Sequence, residues 1–172
     1  ARALLRQRSA MTGAISQIVT DVNRQLVRDV EESGGFMTLF YLTIDADNRE
    51  LNWVRAGHDP AIFYDPATDT FRELRGSGMA LGVKADARFE ENRQHNLKKN
   101  QIILLGTDGI WEARNLQGEM FGKEPIYHTV RQNPGLSAKE ILTGIFNTLN
   151  RFLGDRALED DVTLVVIKIT DD

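Results

Sequence analysis

Cysteine is absent from all 172 residues of this chain. Disulfides, thiolate nucleophiles and thiolate-ligated metals are excluded with it. Histidine is scarce too, with three residues and no pair at metal-ligand spacing. Basic residues are the minority, 21 against 25 acidic, for a net charge of −4. Without a basic footprint the chain is not expected to bind nucleic acid. No apolar run reaches membrane-spanning length and no secretory signal is visible, so the expectation is a cytoplasmic segment with no membrane insertion. Internal repeats, low-complexity tracts and linkers are also missing. What remains, 41% apolar and 27% charged residues, suits a single domain with a real core.

The chain opens Ala1-Arg2-Ala3-Leu4, inside a helical pattern with neither an initiator Met nor a cap. It therefore reads as a piece of a longer polypeptide. Leu4, Met11, Ile15, Ile18, Val19, Val22, Leu26 and Val30 mark one face of a helix or helix pair. Thr12-Gly13 divides the pair, with Thr12 as the cap of a second helix reaching about Glu32. Ser33-Gly34-Gly35 ends it. Strands are expected over residues 36–44, 50–56, 61–64 and 70–74, joined by turns at 45–48 and 65–68 into a meander. Residues 87–96 alternate weakly, and Lys98-Lys99-Asn100 reads as a hairpin turn into the strand 101–105. A short helix, a loop at Gln117-Gly118 and a second helix fill 112–131. Asn133-Pro134-Gly135 is a turn. Ser137-Ala138-Lys139-Glu140 is a capping box that opens a helix with Ile141, Leu142, Ile145, Phe146, Leu149, Phe152 and Leu153 on one side. Residues 164–169 form a last strand. Helices and strands come in blocks, which favours an α+β fold with antiparallel sheets.

The chemistry concentrates at two strand ends. The apolar run 102–105 stops at Gly106-Thr107-Asp108-Gly109, so Asp108 stands at a strand exit as a turn former, helix cap or metal ligand. Asp160 and Asp161 stand at the entrance of the last strand. If the two strands are antiparallel neighbours, both acids fall at the same sheet end. Carboxylates without Cys or a His motif favour a hard cation such as Mg²⁺ or Mn²⁺.

Thr107-Asp108-Gly109-Ile110-Trp111-Glu112-Ala113 followed by Glu159-Asp160-Asp161-Val162-Thr163-Leu164 resembles the metal-dependent type 2C (PPM) protein serine/threonine phosphatases, nearest their SpoIIE/RsbU branch. Matching pieces occur in order at Asn23-Arg24-Gln25-Leu26, Phe36-Met37-Thr38-Leu39-Phe40, Ala56-Gly57-His58-Asp59-Pro60 and Leu81-Gly82-Val83. The resemblance implies a β-sandwich of antiparallel sheets flanked by helices, with two Mn²⁺ or Mg²⁺ ions at one edge. It implies Asp108 and Asp160 as metal ligands. Asp161 and Gly109 would stand beside the ligands, Asp161 orienting its neighbour. Water activated between the ions would attack phosphorus in line, without a covalent enzyme intermediate. The family's Gly-Asp-x-x-Asp and Asp-x-x-Gly-His-Gly segments have no counterpart here. Residues 1–172 would then be the C-terminal two-thirds to three-quarters of an N-terminally truncated domain, weakly active or inactive alone, with exposed strand edges open to homodimer pairing.

The branch implies a phosphorylated anti-anti-sigma (STAS) protein as substrate and an upstream sensor or receiver domain in the same polypeptide. The rival reading is a pseudophosphatase that binds such a partner without turning it over. Among other candidates, His58 could be a general acid but reads better as a turn organiser. His95 and His128 read as surface, Trp111 as core, and Gly76-Ser77-Gly78 as a plain loop. The helical stretch between the two acids could form a substrate flap or pack on the sheet.

Overall fold

The computed structural model describes residues 1–10, 13–132 and 135–170. The expected cap at Thr12, the helical position of Met11 and the turn at Asn133-Pro134 lie outside them. The chain divides into two compact units, residues 1–60 with 75–97, and 61–74 with 98–172.

The first unit holds α1 (Arg2–Ser9), α2 (Ile15–Val30) and an antiparallel sheet of β1 (Leu39–Asp45), β2 (Glu50–Ala56) and β5 (Glu91–Gln94), in the order β1-β2-β5. The apolar stripe of α2 is buried as its spacing requires. Ile15, Ile18, Val19, Val22 and Leu26 form one cluster with Val54, Ala56, Leu81 and Phe89. Asn23 on the same helix is fully buried. Its amide donates to Lys84 O (2.8 Å) and accepts from Gly82 N (3.0 Å). Gly34, at φ +65°, turns the chain out of α2 and donates to Val30 O (2.8 Å).

The second unit holds β3 (Ala61–Asp65), β4 (Thr70–Leu74), β6 (Ile102–Gly106), α3 (Asp108–Trp111), α4 (Glu124–Gln132), α5 (Ala138–Leu153) and β7 (Leu164–Lys168). Its four strands form an antiparallel sheet in the order β4-β3-β6-β7. Ile62, Tyr64, Ile102 and Leu104 pack with Ile126, Val130, Ile141, Ile145 and Leu149 of α4 and α5. Each fully buried aliphatic side chain contributes about 1.5–3 kcal/mol. The Ser137–Glu140 capping box is complete, and α5 buries the face its periodicity marks. Tyr64, Phe71 and Tyr127 stack in a row with ring centroids 4.3 and 4.4 Å apart. Arg131 binds Asp69 at 2.7 Å beside this row.

Several expectations change. The strands 36–74 are not one meander. The β1–β2 and β3–β4 hairpins belong to different sheets, because Gly57, at φ +68°, breaks the pairing and donates to Gly78 O (2.9 Å). Lys98–Asn100 is a turn but no hairpin, since β5 and β6 also belong to different sheets. Asn100 there takes a left-handed φ of +67° and donates to Ile169 O (2.9 Å). Residues 87–96 contribute only the four of β5. The short helix expected from residue 112 comes earlier, as the single turn α3, which ends at Trp111 with Glu112 as its C-cap. Among the described residues no helix is long and apolar enough to cross a membrane.

Candidate active site

The pairing of β6 with β7 builds the site. Their register runs from Ile102 opposite Lys168 to Gly106 opposite Leu164. The exit of β6 and the entrance of β7 therefore lie at the same sheet end, and Asp108 and Asp160 with them. Both acids are exposed.

Thr107 extends the ladder one step beyond the strands. Its N–H donates to Thr163 O (3.1 Å). Its hydroxyl donates to Asp161 O (3.1 Å) and accepts from Thr163 N (3.0 Å). That hydroxyl is thus committed across the sheet, and Thr107, at the N-cap position of α3, makes no side-chain cap bond. Asp108 is the first residue of α3. Sequence reading passed over Thr107 as a clamp. The signal, a β-branched hydroxyl residue at a strand exit, is too common to stand out.

The two carboxylates are held alike. Asp108 Oδ1 accepts from Gly109 N (3.0 Å), and Asp160 Oδ1 accepts from Asp161 N (2.8 Å). The second oxygen of each makes no hydrogen bond among the described residues. Asp161 serves through its backbone, its N–H on Asp160 and its carbonyl on Thr107. Gly109 lets the two segments touch. A Cβ there would stand 2.6 Å from Asp161 O and 3.5 Å from Asp160 Cβ. Gly106 does the same for Trp111, whose ring atoms would lie 3.0 and 3.2 Å from a Cβ.

A cleft of about 160 Å³ opens beside this turn, lined by Gly109, Glu112, Ala113, Arg114, Glu159 and Asp160. Asp108 does not line it. Sequence reading did not single out Glu112, Arg114 or Glu159 for this place. Arg114 donates to Gly118 O (2.7 Å), while Glu159 pairs with Arg156. The loop behind is ordered by buried Asn115, whose amide oxygen accepts from Gln117 N (3.1 Å) and Glu119 N (2.9 Å).

Two carboxylates with open oxygens make an all-oxygen donor set. It fits a hard divalent cation that keeps most of its waters. Among the described residues no three acidic or histidine side chains converge to hold an ion.

The other candidates fall elsewhere. His58 belongs to the first unit. Its carbonyl accepts from Arg55 Nε, and its Nδ1 lies 3.1 Å from Thr38 Oγ1. It organises the turn after β2. His95 pairs with Glu50 (2.8 Å) and is exposed, as is His128. Trp111 is core. Residues 76–78 form a loop in which a Cβ on Gly78 would clash with Arg55 O. The helices between the acids pack on the sheet through Ile126, Val130, Ile141, Ile145 and Leu149.

Comparison with known proteins identifies the family and the fold. Residues 1–170 match the family described as Stage II sporulation protein E (SpoIIE). The chain is 31% identical over 153 residues to phosphoserine phosphatase RsbU of Bacillus subtilis, covering 89% of this chain and 44% of RsbU. It thus spans less than half the length of that relative. Its fold matches the SiaA-PP2C domain of Pseudomonas aeruginosa with a TM-score of 0.77 at 19% identity, over 90% of this chain and 61% of that one. The phosphatase domain of SpoIIE from Bacillus subtilis, presoaked with Mn, matches with a TM-score of 0.62 at 20% identity, over 97% and 70%. The α+β fold is therefore that of the PP2C phosphatase domains, and the chain belongs to the SpoIIE family, in its RsbU branch.

Proposed function

We propose that this chain forms part of a protein phosphatase that uses Mn²⁺ or Mg²⁺ to release phosphate from phosphoserine or phosphothreonine on a regulatory protein. The observation that carries the reading is the β6–β7 register, which brings Asp108 and Asp160 to one sheet end with one oxygen of each left open. These two residues would hold the metal. When bound, the ion supplies an acidified water and neutralises phosphoryl charge. The chain's own side chains do the positioning. Thr107 fixes the Asp108 turn to the Asp160 turn. Gly109 keeps the two turns in contact, and Arg114 at the cleft offers positive charge to a phosphate dianion.

RsbU is named a phosphoserine phosphatase, and the solved SpoIIE domain was soaked with Mn. Both support the choice of reaction and metal. The partner we infer is a phosphorylated STAS-type protein of bacterial sigma-factor signalling, with an upstream sensor or receiver domain controlling the enzyme. Residues 1–172 alone should turn over slowly, because two carboxylates are a sparse ligand set for a two-ion site.

The test is Mn²⁺-dependent phosphate release from a phosphoserine-bearing STAS protein by the natural polypeptide that carries this chain. Asp108→Asn and Asp160→Asn should each lower it at least about 100-fold, since even outer partners of metal ligands are worth about 10–100-fold. Full activity in either variant would remove the assignment. A second reading, a non-catalytic module that binds the partner, is favoured by the lack of any three convergent ligands among the described residues. Binding of the phosphoprotein without phosphate release would select it.

A further inference from the structure

We propose that the groove between α4 and α5 binds a small organic anion, its charged head held by Arg151, His128 and Gln132 and its apolar body laid against Phe152. The groove has a volume of about 540 Å³, and none of the residues lining it is an acid. That size falls in the range of small-molecule sites, about 300–1,000 Å³. None of these residues belongs to the Asp108–Asp160 site.

The lining assigns the roles. Thr129 Oγ1 donates to Pro125 O (2.8 Å) and Thr148 Oγ1 donates to Gly144 O (2.9 Å), so both hydroxyl hydrogens are committed one helical turn back. The two oxygens lie 3.3 Å apart and close the floor as a polar pair. They cannot donate to an anion without giving up a backbone partner. The grip therefore falls to the longer side chains. Arg151 is exposed, and its Nε donates to Asn147 O (3.2 Å) and its Nη2 to Thr148 Oγ1 (3.5 Å). These contacts steady the guanidinium beside the groove, and among the described residues it has no carboxylate partner. Arg131 of α4 differs, because Asp69 already neutralises it. A guanidinium with a free edge is the side chain best matched to a carboxylate or phosphonate head. His128 and Gln132 add imidazole and amide donors from the facing helix. Gly144 has no side chain to fill the space, and a Cβ there would press Thr129 Cγ2 at 3.2 Å. Phe152, partly buried and 5.3 Å from the Phe121 ring, supplies a fixed apolar wall.

The probe is phenylphosphonate, which carries the head and a flat apolar body and has no ester to hydrolyse. Inorganic phosphate tests the head alone. Both are titrated into the isotope-labelled chain in metal-stripped, chelator-free buffer, so that no ion can recruit them to Asp108 and Asp160. Side-chain resonances of His128 and Arg151 report binding. Saturable shifts are expected with Kd about 1 mM or below, which is a modest affinity for one charged contact plus one apolar face. Arg151→Gln should weaken binding about tenfold or more, and Arg151→Lys less, because the ammonium keeps charge but loses the fork. Arg93→Gln, in the first unit, should change nothing. Tighter binding of phenylphosphonate than of phosphate would confirm the Phe152 wall, and equal binding would remove it. Lack of saturation by about 10 mM, weaker than any useful site, or an unchanged Kd in Arg151→Gln, would overturn the proposal. So would shifts produced by an acidic peptide and by neither small anion, which would mark the groove as a protein-docking surface.

Discussion

The two units use the same device for different ends. In the first, a glycine lets backbone meet backbone to order a loop. A Cβ on Gly57 would stand 2.8 Å from Ala80 N, and the polar side chains around it serve packing. Arg55 holds the carbonyls of His58 and Gly76, Trp53 Nε1 donates to Arg75 O (2.8 Å), and buried Asn23 pins residues 82 and 84. In the second, Gly109 brings two turns equally close, 2.6 Å from Asp161 O for a notional Cβ, yet the acids beside it keep open oxygens and stay exposed. Polar groups whose every bond is satisfied internally make structure. Polar groups held in place but left open to solvent are available for chemistry.

Substitutions can break that contrast, and the largest effect should come at Gly109. Gly109→Ala forces the Asp108 and Asp160 turns apart, and a displacement of about 1 Å at a reacting centre can reduce turnover about 100-fold. Phosphate release by the natural polypeptide measures it, with thermal melting as the control for folding. Gly57→Ala should instead act on stability. It combines a left-handed φ with a backbone clash and should cost about 2–3 kcal/mol, read as a lowered Tm. A stability loss at Gly109 as large as that at Gly57, with activity intact, would erase the distinction.

Asn23→Ala comes next. It leaves Gly82 N and Lys84 O without their buried partner and should cost about 2 kcal/mol, or roughly 4–8 °C of Tm. Asn23→Asp should not rescue it, because the donor to Lys84 O is lost. The smallest effect is at Asp21, which ties α2 to α1 through Arg8 (Nε to Oδ2, 2.7 Å). The Arg8 hydrogen bond, aided by Gln17 and opposed by partial burial, holds the Asp21 carboxyl below its ordinary range. A carboxyl depressed on folding contributes stability above its unfolded pKa, about 3.9, and loses it as pH falls through the folded value. Asp21→Asn should therefore lower Tm near neutral pH by about 1–3 °C, under about 1 kcal/mol. The gap should narrow as pH falls below about 3.9, and melting curves from neutral pH downward follow it.

Features written in neighbouring residues were legible in the sequence. The capping box at Ser137, the buried face of α5, the apolar strand before Asp108 and the β-branched strand after Asp161 all rest on spacing alone. The family was legible because its motif pieces keep their order. Pairings between distant residues were not legible. Nothing local says that residues 39–56 and 61–74 enter different sheets, since each hairpin satisfies its own turn chemistry. Nor does the sequence announce that the Thr107 hydroxyl reaches Asp161 and Thr163, more than 50 residues on. The cleft with Glu112, Arg114 and Glu159 depends on the fold of the segment after α3. There Gly122 N donates to Trp111 O (2.8 Å) and Phe121 N to Ala113 O (2.8 Å), closing a loop that periodicity read as helix.

The most direct test of the central claim is Mn²⁺ binding by the chain and by Asp108→Asn, Asp160→Asn and the double variant, followed by the electron-spin signal of free Mn²⁺. If both acids hold one ion, each single variant should weaken binding about as much as the double one, a strongly non-additive cycle. Losses that simply add, or binding that survives both substitutions, would mean that the two carboxylates share a sheet end without sharing a cation.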